Sequence, residues 1–423
     1  MHDAAELLRA LPLEVFETPQ HHDAWARCSL AAAGDQVLIQ TVAAAISRPK
    51  VQINSSFLLH APLELLARAW HLPRVPPHRR EEARRRIAEI AVRYAGEGRE
   101  IESRPKEYST REAALAELCG ALRAGNADAV DGAILFLLPR IPAERLSGAL
   151  ADEILPSLGA AAHAPILLMM LAEAASRFPG ICMLLRSPLR SLALEADLRL
   201  TWMETAGRSA GGDAPALFDC LAAPPLRAGT SSASIAHTML AVERDGYAAR
   251  TLTSATSAVT ASQAARILLR VAALSMLQDD PAHAPYGWTH CFTLPQATLS
   301  LADVASDPTR IVRIAATHVL GFRATLSRVR LQHPYAPRRR PGNASREQEP
   351  SDAAAVAFNA QDDQCRSIRA QLIERAAVHA DAHLAKYTMA CLIAADLDPG
   401  ESPLYLAAAA YLGAWWDRRS FPT

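Results

Sequence analysis

Apolar residues recur at helical spacing along most of the chain, and no long stretch alternates apolar and polar residues as a half-buried strand does. The clearest helical stretch is residues 366–397, which contain neither Gly nor Pro and are rich in Ala, Leu, Met and Ile. These residue types favour helices. Further helices are predicted at about 22–45, 77–94, 232–245, 257–278, 308–330, 357–376 and 404–416. The pattern therefore predicts an all-α fold.

Residues 331–352 interrupt this pattern with a change of composition. Pro334, Pro337, Pro341 and Gly342 surround a run of three arginines, and the segment is polar. Such a composition is typical of flexible segments, which bury little apolar surface. We predict a single large multi-helix domain, with a histidine-lined metal site between helices, in three parts: a helical body over 1–330, a flexible Pro/Arg-rich insertion over 331–352, and C-terminal helices over 353–423 that complete the same domain and site.

The charge balance of the chain argues against partners that carry a large charge. Lys and Arg together number 44, as do Asp and Glu, so no net field would draw nucleic acid or an anionic membrane to the protein. The most apolar run, residues 164–172, is too short to span a bilayer, and we predict that it forms part of a buried helix. We therefore predict no nucleic-acid partner and no membrane association.

Seven cysteines are scattered along the chain without a Cys-x-x-Cys pair. An odd number without paired spacing argues against a disulfide framework and against a zinc ribbon. The first residues lack the basic start and the apolar run of a signal peptide. These features predict a cytoplasmic protein.

The most unusual chemistry lies within the helical stretch 366–397. On one helix, positions three and four apart share a face, so His379, His383 and Lys386 would form a single stripe. Neutral imidazole is a good metal ligand, whereas a protonated lysine has no lone pair to offer. If burial and a nearby cation lower the pKa of Lys386, its amine can act as a nucleophile or take up carbon dioxide. The resulting carbamate is an anionic oxygen donor. The alternative interpretation is a solvated helix face with an incidental pair of histidines.

Half of the 14 histidines occur within apolar helical sequence, namely His60, His163, His237, His290, His318, His379 and His383. One such histidine is usually structural, whereas a set of this size indicates a metal site built from side chains on facing helices. The Glu-x-x-His pairs of di-iron bundles, the His-Glu-x-x-His motif of zinc proteases and the P-loop are all absent. The histidines therefore favour a metal site of another class.

Four short stretches give the sequence a resemblance to a known family. They are residues 54–69, 159–168, 287–296 and 382–386, and each contains one of the histidines His60, His163, His290 and His383. The last stretch reads Ala-His-Leu-Ala-Lys and ends at Lys386. In order and content these stretches resemble the questin oxidase-like proteins. Members of that family are all-helical, and some are mononuclear non-heme iron oxygenases.

The resemblance implies a specific metal site and reaction. His60, His163, His290 and His383 would ligate Fe(II), and Lys386, as a carboxylated lysine, would be both a ligand and the catalytic residue. The implied enzyme is an oxygenase of secondary metabolism, either a monooxygenase or a dioxygenase. It would insert oxygen into a polycyclic aromatic or quinone substrate of the polyketide type and cleave a ring C–C bond. Its partners would be this small aromatic molecule and dioxygen, with NADPH as a candidate reductant.

The chain also departs from the family pattern. Many relatives have a second histidine one or two turns after the position of His163, where this chain has Leu-Leu-Met-Met at 167–170. We predict that His237, His318 and His379 support the ligands or face the substrate. Met169, Met170, Trp288 and Phe292 are candidates to line the substrate pocket, and each has ordinary core packing as its alternative.

Two other functions remain open from the residues alone. The chain could be a non-catalytic helical scaffold that binds partners and packs its histidines in the core. It could also be a metal-dependent hydrolase with a bridging carbamylated lysine, in which case two metal ions are expected. The oxygenase hypothesis predicts about one iron ion per chain, the scaffold predicts none, and the hydrolase predicts two zinc ions.

Overall fold

The computed structural model describes Trp25 and residues 29–51, 55–205, 212–224, 234–338 and 349–418. Within these ranges every regular element is a helix, and the only extended pairings are the isolated bridges Lys50–Glu100 and Ser157–Arg199. The predicted all-α fold class is confirmed. In the same ranges, no helix is both long enough and apolar enough to cross a membrane.

The chain divides into two compact units, Met1–Arg199 and Leu200–Thr423. The predicted parts 1–330, 331–352 and 353–423 stay a prediction. In its described residues the first unit contains nine α-helices: α1 Ser29–Ala32, α2 Asp35–Ile46, α3 Ser56–His71, α4 Pro77–Gly96, α5 Arg111–Arg123, α6 Ala127–Leu137, α7 Ala143–Ile154, α8 Ala164–Ala175 and α9 Arg186–Leu194. Three short 3₁₀ turns lie between them, at Leu72–Arg74, Ala160–Ala162 and Ile181–Leu185.

Helix α3 lies in the interior of the first unit. It packs against α2, α4 and α8, and it is buried around most of its circumference because most of its residues are apolar. A buried ion pair joins neighbouring turns of this helix: Arg68 Nε and Nη2 donate to Glu64 Oε1 at 2.9 and 2.5 Å. The attraction between the two side chains counteracts the cost of removing both charges from water, which allows Glu64 and Arg68 to be buried. Helix α8 is the buried helix predicted from residues 164–172.

The second unit contains eleven α-helices in its described residues: α10 Trp202–Thr205, α11 Ala214–Ala222, α12 Ile235–Arg244, α13 Tyr247–Ala255, α14 Ala261–Gln278, α15 Thr289–Ser300, α16 Pro308–Leu326, α17 Pro350–Phe358, α18 Asp362–Val378, α19 Ala382–Leu397 and α20 Ser402–Asp417. A 3₁₀ turn at Pro281–His283 and a π-helical turn at Ala284–Trp288 lead into α15, and a 3₁₀ turn at Pro399–Glu401 precedes α20.

Helix α15 lies at the centre of the second unit, where it packs against α14, α16 and α19. All of its residues from 289 to 299 are buried. Nearby, the buried Arg323 donates to Asp279 at 2.6 Å and to the carbonyl oxygens of Leu221, Ala222 and Val329. This one guanidinium therefore ties α16 to the end of α14 and to the end of α11.

The prediction that His379 lies on one helix with His383 and Lys386 is wrong, because the helical stretch 366–397 is interrupted at residues 379–381. Helix α18 ends at Val378, His379 has an extended ψ of 146°, and α19 begins at Ala382. The break has a local cause, because the Asp381 carboxylate accepts from the His383 backbone N–H at 2.7 Å and so caps a new helix. His379 therefore does not share a helical stripe with His383 and Lys386.

Part of the predicted flexible insertion is described, and its first residues form hydrogen bonds with other segments of the second unit. Leu331 N–H donates to the Ala222 carbonyl, and Gln332 exchanges two hydrogen bonds with Gln278. Residues 339–348, which include the end of the arginine run, lie outside the described residues. The predicted flexibility of that part stays a prediction.

Candidate metal centre

In the first unit, two of the predicted ligands lie side by side. His60 is in the second turn of α3, and His163 directly precedes α8, which packs on α3. Their ring centroids are 4.6 Å apart, with the rings edge to face at 73°. Both side chains are buried. The structure therefore brings these two of the predicted ligands together, and their role as ligands stays a prediction.

The backbone before His163 has an unusual conformation. Ala160, Ala161 and Ala162 have positive φ angles of 49°, 51° and 58°, a region that costs L-residues roughly 1–2 kcal/mol each. Two contacts hold this left-handed turn: Ala160 N–H donates to the Glu195 carboxylate at 2.6 Å, and Ala162 N–H donates to the Leu158 carbonyl. The turn places the Ala160 carbonyl where the His163 ring can reach it. Local strain of this kind is often retained at functional sites.

Glycine at position 161 is expected to stabilise the protein. Gly adopts a positive φ without steric cost, so Ala161→Gly should raise the free energy of unfolding by about 1 kcal/mol, as measured by urea denaturation. The matched control is Ala116→Gly on the exposed face of α5, which should lower it by about 1 kcal/mol. If both variants lose stability to the same extent, the left-handed turn is not present in solution.

In the second unit, His290, His383 and Lys386 come together. His290 is the second residue of α15, and His383 and Lys386 are one turn apart on α19. The centroids of the two imidazole rings are 5.1 Å apart. All three side chains are buried, and Lys386 is only 2% exposed. The α19 part of the predicted stripe is therefore correct, and the solvated-face interpretation does not hold for His383 and Lys386.

Burial and a neighbouring charge keep the imidazoles of His290 and His383 in their neutral form. Burial, and then the charge of Lys386, lower the pKa of His290 to about 3. Burial, followed by Lys386 and His290, lowers the pKa of His383 well below its ordinary value. At neutral pH both rings are therefore neutral, with a proton on one nitrogen and a lone pair on the other, and a neutral imidazole can bind a metal through that lone pair.

One hydrogen-bonding pattern is common to all four predicted histidine ligands. Nδ1 of His60 lies 2.6 Å from the Ser56 carbonyl, Nδ1 of His163 lies 3.1 Å from the Ala160 carbonyl, and Nδ1 of His290 lies 2.5 Å from the Tyr286 carbonyl. Nδ1 of His383 lies 3.1 Å from Oδ1 of Asp381.

Carbonyl and carboxylate oxygens only accept hydrogen bonds, so Nδ1 must carry the proton in each ring. The lone pair of every ring is then on Nε2. This is the arrangement of metal-binding histidines, which donate their second N–H to a carbonyl or a carboxylate. His60, His163 and His290 are buried histidines that could hold a metal ion.

The structure separates the remaining histidines from this set. The ring of His379 accepts the Asp381 N–H at Nδ1, so its neutral tautomer is the opposite one. His318 is fully buried on α16, and neither ring nitrogen has a hydrogen-bond partner among the described residues. His237 is exposed on α12, so it does not lie in the interior as its apolar sequence context suggested. Roles for these three toward substrate or ligands stay predictions.

The residues predicted to line a pocket lie in the protein interior. Trp288 and Phe292 are fully buried, and Met169 and Met170 lie on the buried face of α8. The indole N–H of Trp288 donates to the Asp280 carbonyl. A small cavity of about 10 Å³ lies beside His163, between Leu63, Leu167 and Pro188. That volume is far below the roughly 300 Å³ of ordinary ligand pockets, so this cavity does not enclose an aromatic substrate.

Acid should destabilise the protein partly through His318. Burial lowers the pKa of His318 to about 4, so the folded state resists protonation while the unfolded chain takes up a proton near pH 6.5. Stability from this group is complete above about pH 6.5 and falls as the pH drops toward 4. Between pH 7 and pH 5, wild-type protein should lose about 2 kcal/mol more unfolding free energy than His318→Leu.

Urea denaturation at the two pH values measures this difference. His237→Leu, a change at an exposed histidine, is the control and should keep the full pH dependence of the wild type. An equal pH dependence in His318→Leu and wild type would show that the His318 ring is solvated or protonated in the native state.

Sequence reasoning missed two residues that contact the predicted ligands. Tyr286 accepts the His290 Nδ1–H through its carbonyl in the π-helical turn, and its ring packs against His383 with centroids 4.9 Å apart. Asp381 both caps α19 and accepts from the His383 ring. An Asp two residues before a histidine at a helix start is a signal that could have indicated the second of these.

Comparisons with known proteins add no relative. No protein-family model, curated protein or solved structure matches the chain.

Proposed function

We propose that the chain is a non-heme Fe(II)-dependent oxygenase of the questin oxidase-like kind. In this proposal one iron ion is held by Nε2 of His60, His163, His290 and His383 and by a carbamate on Lys386. The observation that carries the proposal is the shared tautomer: all four rings donate Nδ1–H to an oxygen of their own unit.

The residues fit such an ion in their donor chemistry. Imidazole nitrogens with an anionic oxygen donor suit Fe(II), and the buried surroundings keep the imidazoles neutral. Lys386 is buried and close enough to His290 and His383 for its charge to lower the pKa of both. As an ammonium it would oppose a bound cation. To form a carbamate, the ammonium first loses one proton to solvent, and the free amine then joins carbon dioxide and releases a second proton, so that the cation becomes an anion.

Groups of the protein itself would orient the ligands and exclude water from them. When bound, the iron supplies the activation of dioxygen for insertion into a polycyclic aromatic or quinone substrate and for cleavage of a ring C–C bond. The oxygens of Ser56, Ala160, Tyr286 and Asp381 fix the orientation of the imidazoles. The apolar surroundings of α3, α8, α15 and α19 exclude water from the ligands. NADPH is the proposed reductant.

The shared tautomer also argues against the scaffold alternative. His379, whose Nδ1 accepts the Asp381 N–H, shows that the opposite tautomer also occurs in this chain. For the hydrolase alternative, the discriminating quantity is the metal content, since a bridging carbamate needs two ions.

Oxygen labelling tests the proposed reaction. Protein reconstituted anaerobically with Fe(II) should consume dioxygen in the presence of NADPH and a polycyclic quinone, and product mass should show ¹⁸O from ¹⁸O₂. Zinc-loaded protein is the control and should show no uptake. Hydrolysis of an ester or amide by the zinc form, with no oxygen uptake by the iron form, would support the hydrolase instead.

A further inference from the structure

The acceptor that His383 uses differs in kind from those of the other three histidines. In the hydrogen bonds described above, His60, His163 and His290 donate to neutral backbone carbonyls, whereas His383 donates to the Asp381 carboxylate. An anionic acceptor binds an imidazole N–H more strongly and raises the basicity of the opposite ring nitrogen. His383 thus receives an electrostatic support that the other three bonds do not supply.

The same carboxylate oxygen also starts the helix that carries His383 and Lys386. Oδ1 of Asp381 accepts from the His383 backbone N–H at 2.7 Å and from the His383 ring at 3.1 Å. Backbone and ring of one residue are therefore held by a single atom. The Asp381 backbone N–H in turn donates to Nδ1 of His379 at 3.0 Å, which holds the turn between α18 and α19.

We infer that Asp381 is a positioning residue, which fixes the Nδ1–H tautomer and the ring orientation of His383 so that Nε2 is the nitrogen offered to a metal ion. The metal part of this inference rests on the proposed function, and the tautomer part does not. Without the carboxylate, a neutral imidazole prefers to carry its proton on Nε2. A protonated Nε2 has no free lone pair with which to bind a metal ion.

Three variants separate the two roles of Asp381. Asp381→Ser keeps a good helix cap, but its shorter side chain cannot reach the imidazole ring. Asp381→Asn keeps both the cap and a neutral oxygen acceptor for the ring. Asp307→Ser is the matched control, because Asp307 caps α16 through the backbone N–H groups of Thr309 and Arg310.

The first readout is the tautomer of His383 in the metal-free protein. Long-range ¹H–¹⁵N correlation spectra of ¹⁵N-histidine-labelled protein report it, and the signal that is lost in His383→Gln identifies the residue. Wild type, Asp381→Asn and Asp307→Ser should show the Nδ1–H form. Asp381→Ser should shift toward the Nε2–H form, and retention of the wild-type tautomer in this variant overturns the inference.

The second readout is the affinity for Co(II), a spectroscopic probe for the iron site, measured by competition with a chelator. Asp381→Ser should bind Co(II) about 10- to 100-fold more weakly than wild type, Asp381→Asn should recover part of the loss, and Asp307→Ser should match wild type. If the wild-type protein binds no Co(II), the proposed function fails, while the tautomer experiment still decides the role of Asp381. Equal losses of affinity in Asp381→Ser and Asp307→Ser would assign the effect to helix capping and overturn the inference.

Discussion

Replacement of any one of His60, His163, His290 and His383 by Ala is expected to lower the affinity for Fe(II) by more than about 100-fold. Loss of a residue that only supports a ligand typically costs 10–100-fold, and loss of a ligand also opens the site to water. Iron content after anaerobic reconstitution and gel filtration measures the effect. Each of the four variants should retain almost no iron.

The control for this series is His318→Ala. It removes a fully buried histidine from the second unit, so it creates a comparable cavity and leaves all of the proposed ligands in place. His237→Ala, at an exposed position, is a second control. Both should retain most of the iron. If His318→Ala loses iron while one of the four proposed ligands can be replaced without loss, the ligand assignment is wrong.

Lys386→Arg is expected to lose both iron and activity. The guanidinium keeps a positive charge at neutral pH, and it can neither form a carbamate nor donate a lone pair. Lys386→Glu places a carboxylate on a shorter arm and should recover part of the iron binding. Because the proposed oxygen ligand comes from carbon dioxide, removal of bicarbonate should slow iron reconstitution of the wild type about 10-fold or more and leave Lys386→Glu unaffected.

The mass of the intact protein gives a second check on Lys386. Metal binding should hold the carbamate in place, so the added mass of carbon dioxide should appear in iron-loaded wild type under non-denaturing conditions and be absent from Lys386→Arg. Iron binding by Lys386→Arg at wild-type level would contradict a role for this residue as a ligand.

The fold class could be predicted because it depends on local patterns that the sequence shows directly. Helical spacing and the absence of Gly and Pro over long stretches predicted α-helices, and the apolar run 164–172 predicted the buried α8. The break at residues 379–381 could not be found from apolar periodicity, since neither Gly nor Pro marks it. The bond from the His383 backbone N–H to the Asp381 carboxylate decides where α19 begins.

The candidate site was predictable where burial follows from sequence context. His60, His163, His290 and His383 sit in apolar sequence, and all are buried. The same context failed for His237, whose position on α12 faces outward. Hydrophobic surroundings in sequence do not fix which side of a helix a residue occupies, so only the packing of the second unit could decide this.

Other parts of the site depend on tertiary structure that no local rule describes. Alanine disfavours a positive φ, so nothing in the sequence indicates that residues 160–162 form a left-handed turn. One of the contacts that hold the turn comes from the Glu195 carboxylate, 35 residues further along the chain, which accepts the Ala160 N–H. Likewise, the contact of Tyr286 with His383 joins residues that are far apart in sequence.

The metal content of the wild-type chain tests the central claim most directly. The protein is reconstituted anaerobically with iron and zinc together, freed of loosely bound metal and analysed by inductively coupled plasma mass spectrometry. It should contain about one iron ion per chain. A chain that retains no metal, or that retains two zinc ions, would contradict the proposed iron centre.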